Sequence, residues 1–171
     1  MSLRIRAAIA VTTLSLTLTG CSSGRDTEAD AAFCDATSGW GEALSILGSQ
    51  MSALGSVSDG VEDPADPFTV AKMHQIGADL QSQAAAVQVL ADQVIANTED
   101  QDVIDAIEEI NRYTIDIAIA MGEDAVVAED LPAFTGLILE DYELYAGMAD
   151  FDMNDAMAII SGYAEPICQT S

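Results

Sequence analysis

Residues 99–121, EDQDVIDAIEEINRYTIDIAIAM, decide the fold class of this 171-residue chain. Val103, Ile107, Ile110, Thr114, Ile117 and Met121 recur at spacings of four, three, four, three and four, which is the rhythm of one face of an α-helix. Ile104, Ile115 and Ile119 widen the apolar face. Glu99, Asp100 and Asp102 crowd the start, where the helix dipole favours negative charge. Gly122 is placed to stop the helix. The spacing therefore predicts a helix from Glu99 or Asp100 to about Met121.

The same rhythm extends in both directions. Phe33, Trp40, Leu44, Leu47, Met51 and Leu54 form a stripe that predicts a helix over about 34–54. Residues 55–66, GSVSDGVEDPAD, read as a loop. Asp66 is placed to cap the next helix, with Pro67 at its first position. Met73, Ile76, Leu80, Ala84, Val87, Leu90 and Val94 carry that helix to about Ala96, and Asn97 and Thr98 end it. A fourth helix is predicted after Asp130, with Pro132 in its first turn. Phe134, Ile138, Tyr145 and Met148 line its face, with Leu137 and Leu144 beside them. A short fifth helix, capped by Asn154, is predicted to end before Pro166. Met157, Ile160 and Tyr163 would close the end of the bundle. Val126-Val127-Ala128 is too short for a strand. The expected fold is all-α: an antiparallel bundle of four main helices plus a short C-terminal helix, in one domain over residues 33–171.

The N-terminal segment has a different character. Arg4 and Arg6 precede an uncharged, mostly apolar run over residues 7–18, too short to span a bilayer of roughly 30 Å. Leu18-Thr19-Gly20-Cys21 follows. This arrangement resembles the lipobox signal of bacterial lipoproteins. The resemblance covers residues 1 to about 24 and implies a signal peptide over 1–20, cut between Gly20 and Cys21. It also implies a diacylglyceryl lipid on the Cys21 sulfur and a location on the extracytoplasmic face of the cell membrane. The competing reading is an ordinary secretory signal with Cys21 as a stray thiol. Residues 21–32, the lipidated cysteine and a small, polar stretch, read as a flexible tether. Eleven such residues, 22–32, reach at most about 35 to 40 Å.

Charge narrows the partners. After cleavage at Cys21 the chain keeps all 29 acidic residues against three basic ones, Arg25, Lys72 and Arg112, a net charge of −26. Such a surface repels nucleic acid and anionic lipid and attracts cations and basic proteins. A saline habitat would favour the same composition. With Cys21 lipidated, Cys34 and Cys168 remain as an even pair in an oxidising compartment, and a structural disulfide between them is expected. A redox or metal pair is the alternative.

Candidate chemistry is sparse. Asp150, Asp152 and Asn154 match positions one, three and five of a calcium loop. Asp155 then stands where that loop needs Gly, and Ser161 where it needs a bidentate Glu. Asp59, Glu62, Asp63 and Asp66 share a loop, and Glu99, Asp100, Asp102 and Asp105 share a helix start. Carboxylates this dense can hold Ca²⁺ or Mg²⁺ weakly, and they equally suit a solvated loop and a helix N-terminus. His74 is the single histidine, with no ligand-type residue at zinc spacing around it. Glu108 and Glu109, and Glu140, Asp141 and Glu143, lie on helices, but no Glu-x-x-His accompanies them as a di-iron bundle requires. Asp116 and Asp141 are the carboxylates nearest apolar stripes. No serine-hydrolase elbow, phosphate loop or zinc-helix motif is present. The expected function is therefore a non-enzymatic, membrane-anchored interaction module with an acidic face and no cofactor. The alternative is a tethered divalent-cation or small-solute binder.

Overall fold

The computed structural model describes residues 27–59, 61–140 and 152–168. Five α-helices and no strand occur among them: α1 (Thr27–Gly55), α2 (Pro67–Ala96), α3 (Gln101–Val127), α4 (Leu131–Glu140) and α5 (Met153–Cys168). The leader, Cys21, Asp141, Glu143, Leu144, Tyr145, Met148 and Asp150 lie outside the described residues.

Carboxylates start the helices. Asp66 accepts hydrogen bonds from the Thr69 N–H and hydroxyl, both at 2.9 Å, and Pro67 follows it at the first helical position. Asp100 accepts from the Val103 N–H at 3.2 Å and Asp130 from the Ala133 N–H at 2.8 Å. The last helix departs from expectation. Asp152, not Asn154, caps it, accepting from the N–H groups of Asn154 and Asp155. Each such cap contributes roughly 0.5–2 kcal/mol by satisfying an orphan N–H.

Three boundaries also differ from the sequence reading. Helix α1 begins at Thr27, so residues 27–32 of the expected tether are helical. The alanines there are strong helix formers, and Glu28 and Asp30 suit the first turn. Helix α5 continues through Pro166 to Cys168. A proline there removes only the bond to the carbonyl of Gly162, near the end of the helix, where little helix remains to disrupt. Helix α3 runs past Gly122 to Val127.

The reason for the last difference is a helix crossing. Gly77 and Gly122 are both buried where α2 and α3 meet. A Cβ on Gly77 would lie 2.8 Å from the Gly122 carbonyl oxygen and 2.8 Å from the Ala125 Cβ. A Cβ on Gly122 would lie 2.7 Å from the Gly77 carbonyl oxygen. Backbone meets backbone here, so Gly122 serves close approach and does not terminate the helix.

The other helices assemble around this pair. Helix α1 packs on α2, α5 packs on α3 and α1, and α4 packs on α3. Phe33, Trp40, Leu47, Leu54, Met73, Leu80, Ile107, Ile110, Ile117 and Ile160 fill the core. Most predicted stripe residues are buried, while Leu44, Met51, Ile76, Leu90 and Met121 are half-buried. Cys34 and Cys168 form a disulfide with Cα atoms 5.5 Å apart, joining the start of α1 to the end of α5. Beside it, Phe33 and Tyr163 stack edge to face at 5.1 Å.

Two outcomes follow. By loop-entropy arguments, closing a loop of 134 residues stabilises the fold by roughly 4 to 5 kcal/mol, with distortion of the fold by the bond as the usual reason for less. Thiol titration of the oxidised, denatured chain carrying Cys21→Ser should find no free cysteine, and Cys34→Ser should lower the urea midpoint strongly. Gly77→Ala should destabilise by about 1–3 kcal/mol through overpacking. Gly136→Ala, where a Cβ meets nothing within 4 Å, should instead stabilise by about 0.5–1 kcal/mol. Equal effects from the two glycine variants would contradict the crossing.

Candidate functional site

Helices α1 and α5 run side by side but leave a groove of about 450 Å³ between them. Gly41, Leu44, Ser45, Gly48, Met51 and Ser52 of α1 form one wall, Met153 and Met157 of α5 the other, and Thr114 of α3 the floor. The wall on α1 arises from its sequence. Gly41, Ser45, Gly48 and Ser52 are spaced four, three and four apart, so their small side chains share one face. Met153 and Met157, four apart, do the same on α5.

The groove interrupts an acidic surface. No charged residue occurs between Ala43 and Ser58, or between Ala156 and Ala164. Of its lining, Met153 is 42% exposed and Met157 37%, and Leu44 and Met51 on the opposite wall are half-buried. Exposed apolar side chains are unremarkable singly, but a cluster rimmed by polar residues marks an interaction site. Glu42, Asp152 and Asp155 are the exposed charges that flank the lining residues in sequence.

The Gln83 side chain donates to the Ala43 carbonyl at 3.2 Å and ties α2 to α1. The Trp40 indole nitrogen, the Asn111 side-chain oxygen and the Thr37 hydroxyl are buried with no hydrogen-bond partner among the described residues. Unpaired groups of this kind are costly, about 1–3 kcal/mol each.

The carboxylates proposed as metal ligands have other roles. Asp63 accepts from the Ala65 N–H at 3.0 Å, Asp66 caps α2, and Asp59 and Glu62 are exposed in the same loop. Asp152 caps α5, and Asn154 donates its N–H to Asp152. Asp100 caps α3, and Asp105 accepts from the Gln101 amide at 2.6 Å. Among the described residues, no three His, Cys, Asp or Glu side chains converge to hold a metal ion. Glu108, Glu109, Glu140 and Asp116 are exposed, so Asp116 does not sit at the core boundary. His74 is half-buried, with Nε2 2.8 Å from the Ala128 carbonyl oxygen. A carbonyl only accepts, so Nε2 carries the proton and His74 ties α2 to the turn after α3. Cys34 and Cys168 are paired in the disulfide.

The groove was not foreseen, because Met157 was assigned to the core and Leu44 and Met51 to a simple stripe. The readable signal was the sixteen uncharged residues from Ala43 to Ser58 in a chain with 29 acids.

If Asp66 is a cap, Asp66→Ala should lower stability by about 1 kcal/mol. The loss should be the same in millimolar CaCl₂ and in NaCl at matched ionic strength. A saturable, calcium-specific stabilisation of the parent that Asp66→Ala removes would restore the metal reading.

No protein-family model, no curated protein and no solved structure matches the chain, so its function has to be read from its own residues.

Proposed function

We propose that the protein is a non-enzymatic extracytoplasmic lipoprotein that presents the α1–α5 groove to a protein partner. The supporting observation is the uncharged apolar window in a mature chain of net charge −26. Charge is the default on such a surface, and the apolar exception exposes methionines to water. Methionine adapts its shape to a partner more readily than branched side chains do.

The anchor would hold this window near the bilayer. Five residues separate Cys21 from Thr27, the first residue of α1, a span of at most about 20 Å. Gly41 lies a further fourteen residues along α1, about 20 Å at helical rise. A lipid on Cys21 would therefore place the groove within roughly 40 Å of the membrane surface. No helix among the described residues is long and apolar enough to cross a membrane. Two acyl chains on one cysteine suffice for stable attachment. The cation-binding alternative draws no support from the candidate clusters, in which Asp66, Asp100 and Asp152 cap helices and Asp63 closes a turn.

The reading is tested in cells in two steps. Cys21→Ser should abolish labelling by a tagged palmitate and release the protein from the membrane fraction. A photoreactive residue at position 45, in the lining of the groove, should give a discrete adduct that Met153→Lys with Met157→Lys removes. The same probe at Asp79, exposed on α2, should give none. Label retained without Cys21, or equal adducts from both positions, would refute the proposal.

A further inference from the structure

We infer that the groove receives a single amphipathic helix of the partner, with its apolar ridge between α1 and α5 and basic residues on its flanks. This rests on the groove being a protein-docking surface, as proposed above.

Shape argues for a helix. The groove follows α1 from Gly41 to Ser52, eleven residues or about 16 Å, the length of three helical turns. Its small residues repeat at four, three and four, the spacing at which one helix offers holes to the side chains of another. A helix laid in a groove is read through side chains at that same spacing.

The glycines point outward. Gly77 and Gly122 are explained by the chain's own packing, but Gly41 and Gly48 are not. A Cβ on either would meet nothing within 4 Å. Glycine weakens a helix relative to alanine, and nothing among the described residues occupies the room that these two leave. That room faces the groove, where an incoming backbone would use it.

Charge selects the occupant. A second copy would bring another −26 to the contact and be repelled. An acidic helix or an anionic lipid surface fails for the same reason. A helix with Lys or Arg beside its apolar ridge would instead be drawn by the net charge of −26. Attraction of this kind steers association more than it adds affinity.

The test uses the mature chain over residues 21–171 with Cys21→Ser and the disulfide intact. Three fluorescent peptides of about 14 residues each, long enough to form helix on binding, serve as probes. The first carries Leu at helical spacing on an Ala–Lys background. The second replaces every Lys with Glu. The third keeps the composition of the first but scatters the leucines around the helix. Anisotropy should show saturable one-to-one binding of the first, weakened by added NaCl, with the other two at least about tenfold weaker. Gly48→Leu fills the groove on an exposed position and should weaken the first peptide by at least about tenfold while leaving the unfolding midpoint unchanged or raised. Asp79→Asn should change neither.

Equal binding of the first and third peptides, untouched by Gly48→Leu, would reduce the effect to unspecific attraction and overturn the helix. Concentration-dependent dimers abolished by Gly48→Leu would make a second copy the occupant and overturn it too. If the peptides fail but the position-45 adduct survives, the helix is wrong and the docking surface stands. If both fail, the docking surface falls as well.

Discussion

The bundle depends on one backbone contact. At Gly77 and Gly122 the α2 and α3 helices come so close that a single Cβ on either side would collide with the opposing carbonyl. Such a contact has almost no freedom to slide. It sets the register of the two central helices, and through them the level of every other layer. The Gln83–Ala43 bond carries that register to α1, and the disulfide carries it from α1 to α5. The groove is a consequence of this order. Helix α1 leans on α2, α5 leans on α3, and the space between their small-residue and methionine faces stays open.

The acidic composition acts on two scales. Locally, four aspartates cap helices by accepting from N–H groups that no backbone carbonyl can reach. In the charged form such caps also suit the positive end of the helix dipole. Globally, the charge keeps copies of the chain apart and destabilises the compact state at low salt. The disulfide and the apolar core offset that repulsion. The uncharged halves of α1 and α5 therefore stand out physically. They form the part of the surface on which a partner need not displace tightly hydrated carboxylates to bury apolar area.

One set of buried groups has no role in this scheme: Trp40, Thr37 and Asn111 each hold a polar atom without a partner among the described residues.

Much of the fold was legible in the sequence because its signals are local. The three-and-four spacing of Val103, Ile107 and Ile110 requires only that a helix bury one face. Asp66 and Pro67 announce a helix start from their own stereochemistry, and Ala96 ends α2 where Asn97 and Thr98 begin to compete for the backbone. Once Cys21 is read as the lipid attachment site, only Cys34 and Cys168 are left to pair. Other features were decided by partners distant in sequence. Gly122 looks like a terminator until Gly77 is known to face it. Asn154 looks like a cap until Asp152 is seen to accept the N–H groups of the first turn. Met157 looks like core until α5 is seen to leave it at the edge of α1. The carboxylate clusters looked like ligand sets because sequence proximity cannot say which way side chains point, and helix geometry directs several of them to N–H groups. Helices, apolar faces and, with Cys21 set aside, the disulfide are written along the chain, because periodicity, capping and cysteine parity can be read residue by residue. The glycine crossing and the groove are not, because both arise from the distance between helices, which no residue sets alone.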